Sequence, residues 1–189
     1  RRLRLLREYL GSMPMQQGVR ALLECEAELR GLDLPIDVVI GDDWVGILIS
    51  VLQDGTAEGK TAAAGLLFIL AGDYAHQVAI APDAILPLVA LLRDGTEGQS
   101  IAAAVLCHLA PNGNAVAIAA AGAIPPLIKL LRDGTARGKT IAACALGNLA
   151  ACGVIIKREG YETLKHAAAG GPAEFTASCL AIVTLLDRL

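Results

Sequence analysis

The tripeptide Asp-Gly-Thr occurs three times at nearly constant spacing, and this internal repeat restricts the fold more than any other feature of the sequence. The copies begin at Asp54, Asp94 and Asp133, so their spacings are 40 and 39 residues. Each copy follows one apolar segment of helical length and precedes another that ends in Leu-Ala. A period of this length, made of helical segments, is typical of an α-solenoid, in which successive units stack and bury a shared core.

The residues around the repeated tripeptide predict a helix, a tight turn and a second helix. Pro87 and Pro126 are expected in the first turn of the helix before the tripeptide, where a missing N–H costs no hydrogen bond. The glycines are expected to end that helix with a positive φ, and the threonines to cap the next one: Gly55, Gly95 and Gly134, then Thr56, Thr96 and Thr135. Shorter apolar segments at 77–81 and 115–121 come before the longer helices, and Gly122 closes the second of them. This pattern gives three helices per unit.

Two segments of the third unit carry a family resemblance: A-G-A-I-P-P-L-I-K-L-L at 121–131 and A-L-G-N-L-A at 145–150. With the short first helix and the Gly-Ala-Ile-Pro join, they resemble the armadillo repeat family more than the HEAT repeats, whose period is similar. The resemblance covers most of the chain. It implies an all-α fold, namely a right-handed superhelical solenoid of about four three-helix repeats.

The repeat divides the chain into segments of a single domain. We predict a partial repeat at 1–32, full repeats at 33–72, 73–112 and 113–152, and a degenerate C-terminal repeat at 153–189, where Asp-Gly-Thr is lost. The first segment resembles the last two helices of a unit, so we expect the chain to begin in the middle of a repeat.

Composition and charge narrow the function. A formal net charge of -3 and a pI near 5.6 give no broad basic surface, so we expect no nucleic-acid partner. The longest apolar stretches, 115–128 and 141–156, are interrupted by glycine, proline or asparagine, so we expect no membrane insertion. Five cysteines without a C-x-x-C pair are interpreted as reduced thiols, and hence as a sign of an intracellular location.

The motifs that resemble catalytic or cofactor sites have simpler explanations. Residues 55–61 and 134–140 end in Gly-Lys-Thr, but they have three residues between the glycines where a phosphate-binding loop has four, and they follow a predicted helix. His76, His108 and His166 have no partner at metal-ligand spacing, and no G-x-S-x-G occurs. We therefore predict that the protein is not an enzyme and holds no cofactor or metal.

In armadillo-repeat proteins, which this chain resembles, the third helices lie side by side and line a concave groove. When the units are aligned on Leu-Ala, the position that faces this groove is Ile69, His108 and Asn148, and the position one turn earlier is Gly65, Ala104 and Cys144. The resemblance implies that an asparagine such as Asn148 clamps the backbone of an extended peptide. The tryptophans that accompany it in nuclear-import receptors are absent here. We therefore predict a shallow, nearly neutral groove with Arg137 and Lys139 at its edge, for an apolar helix or an extended peptide with few charges.

The sequence thus predicts a non-catalytic scaffold that binds a protein or peptide partner in this groove. Three alternatives remain open. The first is a permanent structural subunit of a larger complex, which the high alanine content and the scarcity of charge favour. The second is an accessory substrate-recognition region of an enzyme such as a ubiquitin ligase. The third is a secreted effector that binds a host protein, because Arg1-Arg2-Leu3-Arg4 resembles a translocation motif of that class.

Overall fold

The computed structural model of the chain describes residues 43–72, 74–95 and 97–152, together with isolated positions outside these ranges. Most of the predicted segments 1–32 and 153–189 therefore lie outside the described residues, and the predicted repeat boundaries stay predictions. The described helices are α1 (Asp43–Asp54), α2 (Ala57–Leu70), α3 (Tyr74–Arg93), α4 (Gly98–Leu109), α5 (Ala115–Ala120), α6 (Ile124–Asp133) and α7 (Ala136–Ala151), with a short 3-10 helix at Ala110–Asn112.

The helices form two layers. In one layer α2, α4 and α7, the third helices of successive units, pack side by side in chain order. The second helices α1, α3 and α6 pack behind them, each against the third helix of its own unit. The described ranges contain no strand, so the predicted all-α solenoid is confirmed, and each unit buries its apolar face only by stacking on its neighbours.

Pairs of alanines bring the third helices close together. Ala63-Ala64, Ala102-Ala103 and Ala142-Ala143 occupy equivalent positions in α2, α4 and α7, and all six side chains are 0% exposed. Leucines fill the space between the two layers, among them the fully buried Leu66, Leu106 and Leu127. The alanine content of the chain is therefore used within the solenoid, where small side chains allow helix backbones to approach each other.

Two turns of the repeat have the predicted caps. The Thr56 hydroxyl accepts a hydrogen bond from the Gly59 N–H at 3.2 Å, and the Thr135 hydroxyl accepts one from the Gly138 N–H at 3.1 Å. Each bond satisfies a backbone donor that the first turn of a helix leaves without a partner. Thr96, the third predicted cap, lies outside the described residues.

The prediction for the glycines of the turns was right at one position of three. Gly95 has φ 68°, as predicted, but Gly134 is extended at φ −73° and ψ 172°, and Gly55 also lacks a positive φ. A Cβ at Gly55 or Gly134 would instead lie 2.4 Å from the carbonyl oxygen of Val51 or Leu130. Glycine is needed at these two positions because the turn folds back on its own helix.

The prediction of three separate helices per unit was wrong for 73–112. Its first and second helices are joined in α3, so Pro82 and Pro87 lie inside a 20-residue helix and not in a first turn. In the next unit α5 and α6 are separate, because Gly122 adopts φ 81° between them, and Pro126 lies in the first turn of α6 as predicted. The residue aligned with Gly122 is Asp83, whose Cβ makes that left-handed conformation less favourable than it is for glycine, and here the helix continues.

The break at Gly122 is fixed by an arginine from the preceding unit. The Arg93 guanidinium donates hydrogen bonds to the carbonyl oxygens of Ala121 and Gly122 at 3.0 and 3.2 Å. These carbonyls lie at the end of α5, where the helix leaves acceptors without intrahelical partners. One unit earlier, the residue aligned with Arg93 is Gln53. The segment of the next unit that corresponds to the break at Gly122 lies in α3, which is continuous.

Within the part of the chain that the structure describes, one segment, His76–Arg93 of α3, is long and apolar enough to cross a membrane by those two criteria alone. The sequence pattern did not predict it, because the segment was expected to form two helices. In the structure 44% of the segment is buried inside the protein, and α3 packs against α1 and α4. A core helix of a soluble protein has the same properties, so the segment is weak support for a membrane span.

Candidate functional site

The third helices enclose an open concavity of about 550 Å³, which we call the groove. It extends from α2 across α4 to α7, because these helices lie side by side with one face uncovered. The residues that line it are Thr61, Phe68, Glu97, Ser100, Ile101, Ala104, Cys107, His108, Arg137, Thr140, Ile141 and Cys144.

Four of the seven predicted groove residues line this concavity. Ala104, His108, Arg137 and Cys144 do so, and His108, Arg137 and Cys144 are exposed. Gly65 and Ile69, which lie half-buried on α2, and Asn148 are not among the lining residues. The partner-binding role of all seven stays a prediction.

Asn148 connects two third helices. Its side-chain amide donates a hydrogen bond to the Cys107 carbonyl oxygen at 2.9 Å and lies 3.3 Å from the Cys107 sulfur. The residue that the resemblance marks as a peptide clamp is therefore engaged between α7 and α4 in this structure.

An aromatic pair forms one rim of the groove. The rings of Phe68 and His108 meet edge to face, with centroids 5.2 Å apart and an interplanar angle of 89°. Phe68 is 36% exposed although it is a large apolar residue. This rim, which we call the aromatic rim, offers an apolar contact together with an imidazole.

The opposite rim is polar. Thr61, Ser100 and Thr140 occupy the same register position on α2, α4 and α7. The hydroxyls of Thr61 and Thr140 donate to the carbonyl oxygens of Ala57 and Ala136, one turn earlier in their own helices, at 2.9 and 3.1 Å. Their donor capacity is thus used within the helix, and only acceptor lone pairs remain for a ligand.

Two opposite charges lie at this polar rim. Glu97 and Arg137 occupy equivalent positions at the N-terminal ends of α4 and α7, and both are exposed. Neither takes part in an ion pair within the described part of the chain. The groove therefore presents one negative and one positive group on neighbouring helices.

Between the rims the floor is apolar. Ile101, Ala104 and Ile141 are half-buried and have no polar side-chain atom. Phe68, Ile101 and Ile141 were not predicted from the alignment of the repeats. That alignment followed one residue per turn, whereas a helix face about 100° wide takes positions i, i+3, i+4 and i+7, and that broader pattern is the signal that finds them.

Thiols complete the floor. The pKa of the Cys107 thiol is raised from 9.0 to about 11, chiefly by burial and also by the neighbouring Cys144, although a hydrogen bond from Asn148 lowers it. Burial and Cys144 also raise the pKa of Cys179.

Among the described residues, no group of three or more His, Cys, Asp or Glu side chains is placed to hold a metal ion.

We expect these thiols to differ in reactivity toward iodoacetamide, because the thiolate is the reacting form. In the native protein at pH 8, the exposed Cys144 and Cys152 should react before Cys107 and Cys179. Since folding raises the pKa of Cys107, its contribution to stability is present below about pH 9 and is lost as the pH rises toward 11. Peptide mapping by mass spectrometry checks the order, and early labelling of Cys107 would contradict it.

Comparisons with known proteins identify the class of this fold. Residues 111–151 match the family model described as the armadillo/beta-catenin-like repeat. A search of the curated proteins gives no match. Among solved structures, an engineered protein from the Northeast Structural Genomics Consortium has a TM-score of 0.78 at 24% identity, over 98% of this chain and 79% of that chain.

Two further structures are designed armadillo repeat proteins. One, described as computationally designed for modular peptide recognition, has a TM-score of 0.70 at 21% identity, over 95% of this chain and 80% of that chain. Another, in complex with the peptide (KR)4, has a TM-score of 0.60 at 20% identity, over 97% of this chain and 91% of that chain. Residues 111–151 are therefore similar to an armadillo repeat, and the chain has the fold of an armadillo-repeat solenoid.

Proposed function

We propose that this chain is a non-catalytic scaffold that binds a protein or peptide partner in the groove. The observation that carries the proposal is the uncovered face of α2, α4 and α7, where the stacked third helices leave an open concavity of about 550 Å³. Pockets of this size with an apolar floor and a few polar groups are typical of binding sites. The peptide-binding designs of similar fold support the same function.

The stacked architecture favours binding by a preformed surface. Each third helix is held by its neighbours through buried alanines and leucines, so little conformational entropy remains to be lost when a partner docks. The ligand that suits this groove is not strongly basic, because Glu97 and Arg137 offset each other. We therefore expect weak binding of a (KR)4 peptide.

A groove-blocking variant tests the proposal. Cys144 is exposed and lines the groove, so Cys144→Arg places a long charged side chain on the apolar floor. We expect a partner recovered by the wild-type chain in a proximity-labelling or pull-down experiment to bind the variant about tenfold or more weakly, the size of a hot-spot effect. The affinity of the purified partner is then measured by isothermal titration calorimetry.

The matched control is Ala90→Arg, which adds the same side chain at an exposed position of α3 outside the groove. Both variants should keep the far-UV circular dichroism of the wild type. If each partner binds the two variants equally well, the groove is not the binding site and the proposal fails.

A second function, that of a permanent subunit in a larger assembly, is favoured by apolar side chains away from the groove. Leu86 on α3 and Val116 on α5 are each 70% exposed, and Val78 is 57% exposed. Sedimentation analysis separates the two functions. A monomer that captures its partner through the groove supports the scaffold, and a stable complex that Leu86→Asp or Val116→Asp disrupts supports the subunit.

A further inference from the structure

The supply of hydrogen-bond partners in the groove distinguishes between two kinds of peptide ligand. An extended peptide brings one N–H and one C=O per residue, and a groove that excludes water must supply partners for them. Complexes with extended peptides depend on such main-chain hydrogen bonds. An α-helix satisfies its backbone internally and needs from the groove only contacts with its side chains.

The groove floor offers an extended backbone few partners. Ile101, Ala104 and Ile141 have no polar side-chain atoms. The Asn148 amide donates to the Cys107 carbonyl, and the Thr61 and Thr140 hydroxyls donate to carbonyls of their own helices. The lining side chains that can still donate, Ser100, His108 and Arg137, lie at the rims, so the floor has no strong donors for the carbonyl groups of an extended ligand and favours a helical one.

The shape of the groove also matches an amphipathic helix. Its floor is apolar, and the rims on either side are the aromatic rim, Phe68 with His108, and the polar rim, which carries Glu97 and Arg137. A helix with one apolar stripe buries that stripe on the floor and leaves its polar residues facing the charged rim and solvent.

The distance between the two rim charges determines how far apart the complementary charges of the ligand must lie. Glu97 and Arg137 occupy equivalent positions on α4 and α7, and packed helices lie about 8–10 Å apart. A ligand helix that crosses α4 and α7 rises 1.5 Å per residue, so residues seven apart are about 10.5 Å apart and on nearly the same face. A basic residue opposite Glu97 and an acidic residue opposite Arg137 therefore meet this separation at i and i+7.

We propose that the groove takes an amphipathic α-helix whose apolar side chains contact Ile101, Ala104 and Ile141, and which carries one basic and one acidic residue seven positions apart, opposite Glu97 and Arg137. This inference rests on the proposed function, because it names the ligand class of the same groove. The order of the two charges along the ligand corresponds to the direction in which its helix lies across α4 and α7.

Selection from two displayed peptide libraries tests the inference with the full 189-residue chain. One library encodes 18-residue (~27 Å) amphipathic helices with an apolar stripe and randomised polar positions. The other encodes random peptides of equal length that contain two internal prolines, which prevent a continuous helix. Peptides are selected on the wild-type chain and on Ala90→Arg, and those that also bind Cys144→Arg are discarded.

We expect groove-dependent binders from the helical library, enriched in opposite charges at i and i+7. A proline in the middle of such a peptide should weaken binding about tenfold or more, because it interrupts the helix. Groove-dependent binders that come only from the proline-containing library would overturn the helical ligand and leave the proposed function standing. If neither library gives groove-dependent binders, the helical ligand is overturned, and the proposed function fails only if the partner from the pull-down also binds Cys144→Arg and Ala90→Arg equally well.

Charge variants test the second part. Arg137→Glu makes both rim charges negative, so it should prefer a peptide with basic residues at i and i+7 by about two- to fivefold at low salt, the range of exposed ion pairs. Glu97→Lys should prefer the peptide with acidic residues at both positions by a similar factor. Four peptides are compared, one for each combination of basic and acidic residues at i and i+7. If neither variant changes its preference among them, the rim charges do not select the ligand.

Discussion

We expect Leu106→Ala to lower the free energy of unfolding by about 2–5 kcal/mol, because the substitution removes three side-chain carbons from a site with no room to collapse. Leu106 is 1% exposed and lies on α4, which packs against α2, α3 and α7. The cavity therefore weakens the central third helix on several sides. In a solenoid, stability is close to a sum of units and their interfaces, so a loss at the central helix affects both of its neighbours.

Urea unfolding followed by circular dichroism measures this effect. The matched control is Leu86→Ala, the same substitution at a side chain that is 70% exposed, where we expect a change within about 0.5 kcal/mol. A broader transition in Leu106→Ala would indicate that the units on either side of α4 unfold separately. Equal effects of the two substitutions would contradict the placement of Leu106 in the core.

The second large effect is expected at Gly98, where α4 lies against the preceding unit. A Cβ at this position would lie 2.8 Å from the Thr61 hydroxyl oxygen and 3.0 and 3.1 Å from the two terminal methyl groups of Leu91. The Thr61 side chain cannot move away easily, because it is β-branched and its hydroxyl is bonded to the Ala57 carbonyl. We expect Gly98→Ala to destabilise the protein by about 1–3 kcal/mol, as overpacking does.

Gly46→Ala is the control for this prediction. Gly46 lies in α1 with nothing within 4 Å of an added Cβ, so alanine there should stabilise the protein by about 0.5–1 kcal/mol through helix propensity. In the double variant Gly98→Ala with Thr61→Ala the closest contact is absent, so we expect a coupling of at least about 0.5 kcal/mol. Purely additive effects would show that the two residues do not limit each other.

Glycines recur near the start of the third helices, and close packing between these helices explains them. Gly138 occupies the position of Gly98 one unit later, and a Cβ there would lie 3.0 Å from the Ser100 hydroxyl oxygen. At both interfaces a glycine near the start of one third helix faces a hydroxyl residue of the preceding third helix. The polar rim therefore has a packing role, which is sufficient to explain the hydroxyls of Thr61 and Ser100 without a ligand.

An alignment of the repeats shows which residues share a helix face, but it does not show how far apart the helices lie, so it predicts only some of the groove residues. Ala104, His108 and Cys144 were found because residues one turn apart on a helix share a face. Asn148 was expected to face the groove on the same basis, yet its amide bonds to Cys107 of the neighbouring helix. Which polar group finds a partner across an interface depends on distances between helices, and a sequence pattern does not give them.

The repeat, the helical class, two threonine caps and part of the groove-facing side of the third helices could be predicted from the amino-acid sequence. These features depend on contacts within one unit or on a periodicity that the chain repeats about every 40 residues. Only the tertiary structure showed that α3 is continuous, that two turn glycines are set by close approach to their own helices, and that Phe68 meets His108. These depend on how closely segments of the chain approach one another once the helices stack, and packing density settles that only in the folded molecule.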